Sequence, residues 1–255
     1  MNFTADQLSA VLFIDIETVP CAPLFSQISP GLQEHWLHKA RYIKNANAES
    51  ATDEELFSER AGIYSEFAKI VCIGLGCLVK KEKEWNLLLK SIHGDDEFAL
   101  LNSFNDAVKK FADNHRNFRF CGHNIKEFDI PFICRRMMIN GIPLPPYLDL
   151  GGKRPWEVSH IDTLEQWKFG DHKHFTSLGL LAEIFGIPSP KDDIDGSMVA
   201  DVYWKEQNLE RIAKYCSQDV ATAAKVLLSM SNYRNIIPEM EIINTQTPPS
   251  PEGAS

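Results

Sequence analysis

Five residues have types and spacings suited to holding a divalent cation and directing a water molecule. Asp15 and Glu17 stand two apart in AVLFIDIETVP, and along an extended strand residues i and i+2 leave the same face. Two carboxylates at the end of the apolar run Ala10 to Ile14 lose hydration and repel each other, a penalty offset by pairing or by a shared metal. The same spacing recurs at Asp53/Glu55 and Asp95/Glu97, where solvated charge or helix capping accounts for it. Asp129 lies in CGHNIKEFDIPF, directly after a strand and in the first turn of a helix. That place suits a functional loop residue and a helix cap alike. Tyr215 and Asp219, four apart in YCSQD, share one face of a helix, a pairing that is unremarkable by itself.

These residues need elements to position them. Ala10 to Pro20 reads as a buried strand ended by proline. Cys21 to Glu66 changes to charge-rich helical stretches, around Gln33 to Lys44 and Asp53 to Phe67, and reads as an excursion between strands. Strand signals resume at Lys69 to Val79 and Glu84 to Leu89, joined by a Lys-Lys-Glu-Lys turn. A helix with apolar Phe98, Leu101, Phe104, Val108 and Phe111 follows over Asp95 to Ala112, then a short strand Phe118 to Cys121. A helix is expected from Ile125 to just before Gly141, since Pro131 is tolerated only in a first turn. After a Pro/Gly-rich loop, Gly141 to Pro155, come a short strand His160 to Asp162 and helices at Thr176 to Phe185, Ser197 to Glu206 and Leu209 to Met230. Antiparallel strands followed by alternating strands and helices predict a mixed α/β domain with a central sheet.

Composition narrows the classes. At 255 residues with 44% hydrophobic and 24% charged side chains, the chain matches ordinary globular usage rather than a disordered or fibrous one. The longest uncharged apolar run, Ile70 to Val79, contains two glycines and is half the ~20 residues a membrane-spanning helix needs. No Lys or Arg precedes Lys39, so no secretory signal is expected and a cytoplasmic location is. Six cysteines form no C-x-x-C pair, which fits reduced buried thiols rather than a disulfide framework or zinc ribbon. The net charge of −9 opposes the broad basic footprint of a duplex binder, so any nucleic-acid contact is local.

The order and context of the three carboxylate elements carry a resemblance. The chain resembles the DEDD superfamily of 3′–5′ exonucleases, with VLFIDIETVP like the first motif and YCSQD like the third. GHNIKEFDIPF is similar to the second motif of the proofreading domains of B-family DNA polymerases. Tyr215 four residues before Asp219, with Lys214 where the histidine subtype carries His, marks the tyrosine (DEDDy) subtype. The resemblance runs from about Val11 to Leu228 and is closest to stand-alone exonucleases related to those proofreading domains.

This resemblance implies a ribonuclease H-like fold, a mixed central β-sheet flanked by helices. It implies an exonuclease domain over residues 8–232, in which the helical excursion at about 21–66 is an insertion; the tail at 244–255 is expected to be disordered from its low-complexity composition. The resemblance also implies two divalent ions, Mg²⁺ or Mn²⁺, consistent with hard oxygen donors. Asp15 is then the bridging ligand, Glu17 and Asp219 serve the ion that activates water, and Asp129 serves the ion near the leaving group. Tyr215 orients the water, its ordinary pKa near 10 making it a poor base. The substrate implied is a 3′ end, single-stranded DNA before RNA, releasing 5′-mononucleotides. An RNA-trimming enzyme and a non-catalytic binding module of the same fold are the alternatives, and the presence of all five catalytic positions counts against the module. Thr18 and Asn124 are candidates to hold the terminal nucleotide, beside local turn and capping roles, and Phe128 to buttress the site or pack the core. Asp162 is a candidate supporting group. Arg135, Arg136, Lys168, Lys173 and Lys191 form a candidate phosphate-contacting set, and His172 and His174 lie on a polar loop.

Overall fold

The computed structural model describes residues 1–47, 50–171, 175–188 and 194–243. Helix α1 (Ala5–Ser9) opens on a capping box between Thr4 and Gln7 and leads into strand β1 (Val11–Pro20). Helices α2 (Pro30–Asn47) and α3 (Asp53–Arg60) precede the hairpin of β2 (Ala68–Lys81) and β3 (Glu84–His93). Then follow α4 (Glu97–Asn114), β4 (Arg119–Gly122), α5 (Asp129–Ile139), β5 (Ile161–Asp162) and α6 (Thr163–Lys168). Helices α7 (Leu178–Ile184), α8 (Val199–Trp204) and α9 (Leu209–Ser229) and strand β6 (Glu239–Ile242) complete the described elements. The six strands form one sheet in the order β5-β4-β1-β2-β3-β6. The β1–β2 and β2–β3 pairs are antiparallel, and the β1–β4, β4–β5 and β3–β6 pairs are parallel. This is the mixed central sheet flanked by helices expected from the sequence.

Strand alternation sorts β1 between two cores. Leu12, Ile14 and Ile16 pack with Leu101 and Phe104 of α4 and Ile133 and Met137 of α5. Val11 and Phe13 face the other way, onto Val220, Ala224 and Leu227 of α9, each such burial contributing about 1.5–3 kcal/mol. Asp15 and Glu17 continue the parity of Val11 and Phe13, so the apolar row under α9 ends in two carboxylates. Across the β1–β2 pair Gly74 stands opposite Asp15. A Cβ on Gly74 would lie 2.8 Å from Val220 Cγ2 and 2.9 Å from Cys216 Sγ, so the bare backbone lets α9 press close to the sheet. Between Glu17 and Thr18 the register slips, Glu17 facing Cys72 and Thr18 facing Ile70, a bulge that re-aims the end of the strand.

Several expected elements shift. The helix predicted from Ile125 starts at Asp129, because Asn124 adopts a left-handed φ of 65° and Asp162 accepts hydrogen bonds from the backbone N–H of Asn124 and Lys126 at 2.9 and 3.0 Å. The helix predicted to Phe67 ends at Arg60 and gives way to a 3₁₀ turn, Ala61–Ile63. Helices α1 and α6 and strand β6 were not anticipated. The two helices between β1 and β2 build a core of their own around Trp36, which is edge-on to Phe57 at 5.3 Å and to Phe67 at 5.2 Å. All six cysteines are free. Among the described residues no helix is long and apolar enough to cross a membrane. The tail at 244–255, together with His172, Lys173, His174 and Lys191, lies outside the described residues.

Candidate active site

The end of β1, the start of α5 and the middle of α9 converge. Asp129 is 4% exposed, and its Oδ1 accepts a hydrogen bond of 3.0 Å from the backbone N–H of Ile16, the residue between Asp15 and Glu17. That bond ties the first turn of α5 to the carboxylate strand, so Asp129 spends its side chain on β1 rather than on capping its own helix. From α9, the Cys216 thiol donates to the Asp15 backbone carbonyl at 3.5 Å, and the Tyr215 hydroxyl donates to Asp219. One donor atom each from Asp15, Glu17 and Cys216 all fall within 4.8 Å of one another.

Electrostatics describe a site short of positive charge. Burial pushes the Asp15 carboxyl well above the usual range, and the charges of Asp129 and Asp219 push it further. Glu17 is raised likewise by burial and then by Asp15. Asp129 is pushed up to about 7, burial outweighing the backbone hydrogen bonds that lower it, with Asp162 and Asp219 adding to the rise. Burial followed by the charges of Asp219, Glu17 and Asp15 raises the Tyr215 phenol. Among the described residues none of Asp15, Glu17 and Asp129 is paired with Lys or Arg. Asp15 Oδ2 is shut off from solvent with no hydrogen-bond partner. An orphaned carboxylate oxygen amid mutually repelling carboxylates fits a divalent cation, whose charge would offset both penalties.

The supporting residues divide. Thr18 donates to the Gly62 carbonyl at 2.7 Å, pinning the bulged end of β1 to the segment after α3. Thr18 and Phe128 line a cleft of about 250 Å³ beside Glu17, together with Ser58, Glu59, Gly62 and Ile63 from the inserted segment and Ser197 from the stretch before α8. The Phe128 ring also tilts against Phe132 at 5.4 Å. Asn124 is placed elsewhere, on a separate cavity of about 650 Å³ that Asp162, Arg135 and Lys168 also line. Asp162 accepts from the backbone N–H of Asn124, Lys126, Leu164 and Glu165, so it shapes the loop ahead of Asp129 and caps α6. Arg136 departs from the expected phosphate-contacting set. Its guanidinium is taken up by Glu97, with Nη2 at 2.6 Å, and by the Ser65 carbonyl at 2.8 Å.

Sequence reasoning missed Cys216 and the cleft residues of the insertion. Cys216 stands three before Asp219, a spacing that stacks the two on one helical turn. Ser58, Glu59, Gly62 and Ile63 carry no local signal, because their place beside Glu17 depends on a contact spanning 44 residues.

Fold and site together define a mixed α/β protein with an acidic centre at the end of its first strand. The chain belongs to the family described as predicted 3′–5′ exonuclease related to the exonuclease domain of PolB, which it matches over residues 63–247. The match takes in Asp129, Asp162, Tyr215 and Asp219 and begins after Asp15 and Glu17. Among solved structures, the family B DNA polymerase from the hyperthermophilic archaeon Pyrobaculum calidifontis is similar at 19% identity and a TM-score of 0.45, over 86% of this chain. The chain corresponds to 24% of that polymerase's length. No curated protein matches it.

Proposed function

We propose that the chain is a metal-dependent 3′–5′ exonuclease of the tyrosine subtype, a single unit over residues 8–232 that removes 5′-mononucleotides from single-stranded DNA. The observation that carries this reading is the convergence of Asp15, Glu17 and Asp129, none of them paired with Lys or Arg among the described residues and Asp15 with an orphaned oxygen. Asp15, Glu17 and Asp219 would hold one Mg²⁺ or Mn²⁺, and Asp129 with Asp15 the other. When bound, two such ions supply the charge that lowers the pKa of the attacking water and stabilises the departing 3′ oxygen.

The chain's own residues set the geometry. Because burial and neighbouring carboxylates keep Tyr215 protonated at neutral pH, its hydroxyl keeps its hydrogen and donates it to Asp219, while its oxygen offers a lone pair to a water. Tyr215 therefore orients rather than deprotonates. Phe128 and Ile63 give the cleft beside Glu17 apolar walls for the terminal nucleotide, and the Thr18–Gly62 bond fixes the cleft's floor. The net charge of −9 leaves little surface for gripping duplex, which favours a free single-stranded end.

The test is a 5′-labelled oligonucleotide series, single- and double-stranded DNA and RNA, incubated with Mg²⁺, Mn²⁺ or EDTA. A ladder shortening one nucleotide at a time from the 3′ end, fastest on single-stranded DNA and absent in EDTA, is expected. Cleavage of closed circular single strands would overturn the exonuclease reading, and faster trimming of RNA would reassign the substrate.

A further inference from the structure

The cleft beside Glu17 has a polar chemistry that its apolar walls do not explain. Three hydroxyls line it, and each has already given its hydrogen to a group of the protein that can only accept. Thr18 donates to the Gly62 carbonyl at 2.7 Å, Ser58 to the Glu54 carbonyl at 3.2 Å and Ser197 to Asp195 Oδ1 at 2.5 Å. A hydroxyl whose hydrogen is engaged shows a ligand only lone pairs, and an ionised carboxylate is an acceptor throughout. Glu17 and Glu59 are the two acids on the cleft, and among the described residues no Lys or Arg lines it. With a cation on Glu17, the side chains around the cleft accept and none donates.

Glu59 differs from Glu17 in what its charge faces. Glu17 would spend its charge on the cation, whereas Glu59 is exposed and forms no ion pair among the described residues. The chain holds Glu59 at the cleft from both sides. Two residues before it, Phe57 is buried edge-on to Trp36 at 5.3 Å, and three residues after it, Gly62 takes the Thr18 hydrogen bond. Glu59 also lies in the insertion, ahead of the stretch 63–247 that matches the exonuclease family.

We propose that Glu59 is a specificity-determining residue through which the cleft selects a strand by the group at its 3′ terminus, taking a free 3′-hydroxyl and rejecting a 3′-phosphate. A hydroxyl brings the O–H donor that the surrounding acceptors lack. A terminal phosphate brings only acceptors and about −1.5 to −2 charge, set against a carboxylate that no cation offsets. That the ligand is the end of a nucleic-acid strand rests on the exonuclease reading, while the choice between ends follows from the cleft.

The experiment uses the full chain and three 5′-labelled decadeoxynucleotides of one sequence, ending in a 3′-hydroxyl, a 3′-hydrogen or a 3′-phosphate. Hydrolysis is followed with Mn²⁺, and binding by fluorescence anisotropy in EDTA. Rates and affinities are expected to fall in that order, the phosphate end about fivefold or more below the hydroxyl end, the scale of one close charge contact in water. Glu59→Gln keeps the shape, removes the charge and adds a donor, so it should narrow the gap between phosphate and hydroxyl ends. Glu59→Lys should narrow it further, by about fivefold or more relative to wild type. Equal handling of the three ends by wild type would overturn the proposal, as would a gap that neither variant changes. A 3′-hydrogen end as poor as the phosphate end would also overturn it, because selection would then rest on the hydroxyl alone and not on the Glu59 charge. No hydrolysis of any end with Mn²⁺, beside the expected order of affinities, would count against the exonuclease reading and leave the selection between ends standing.

Discussion

Glu17 and Glu97 are both more than nine-tenths buried, at 7% and 8% exposure, and their surroundings are opposite. Glu97 accepts from the Ile70 N–H at 2.7 Å, from Arg136 Nε and Nη2 at 2.9 and 2.6 Å, and from Asn140 Nδ2 at 2.9 Å. Its charge is cancelled, and through it β2, α4 and α5 are locked together, with the Arg136 bond to Ser65 reaching the end of the insertion. Glu17 has Asp15 as the foremost charge acting on it, with Asp219 and Asp129 beyond. A buried acid with its own arginine serves architecture. A buried acid among other acids keeps its capacity for a partner from outside the chain.

The contrast makes its largest prediction in activity. Asp15→Ala is expected to reduce hydrolysis by roughly four orders of magnitude, about 5.5 kcal/mol of transition-state stabilisation, with the native fold retained by circular dichroism. Full activity in the purified variant would remove Asp15 from the site. Next is Arg136→Ala, which leaves Glu97 charged and unpaired, and urea denaturation should record a loss of about 3–5 kcal/mol. Glu17→Gln, measured the same way without metal, should lose nothing, because it removes a repelling charge. If the two variants fell equally, the two glutamates would be playing the same part.

A smaller effect couples pH to metal. Asp129 titrates near 3.8 when unfolded and is pushed up to about 7 when folded. Below pH 4 both states carry the proton, so the group contributes no difference. As pH rises toward 7 the unfolded chain releases its proton first, and stability of the metal-free protein declines until the folded carboxyl also titrates. Mn²⁺ should flatten that decline and, at about 100 times Kd, add roughly 2.7 kcal/mol per site. Asp129→Asn should melt no lower than wild type in EDTA and gain less from Mn²⁺. Thermal melts at three pH values provide the check, and identical Mn²⁺ shifts in both proteins would exclude Asp129 as a ligand. The smallest effect is expected from Tyr215→Phe, about a tenfold fall in kcat with the Mn²⁺-induced melting shift unchanged. An unaltered kcat would reduce Tyr215 to a packing residue.

What was legible in the sequence was local. Asp15 with Glu17 and Tyr215 with Asp219 follow from the repeat of one strand and one helix, and the β2–β3 hairpin from two apolar runs flanking a polar turn. What escaped depends on contacts between distant residues. The start of α5 is set by Asp162, 38 residues from the Asn124 it binds, and the fate of Arg136 by Glu97, 39 residues upstream. Strand β6 is exposed at all four positions, so it has no buried face to print an alternating pattern.

Gly74 touches no substrate in any of these schemes, yet Tyr215 and Asp219 reach Asp15 only because α9 presses against it. A single methyl group there would meet Val220 and the Cys216 sulfur and push the helix outward, carrying two of the five site residues with it. Selection on this protein's activity would therefore act at position 74 as firmly as at a carboxylate, and an alanine there would be inherited as a catalytic defect in a folded protein.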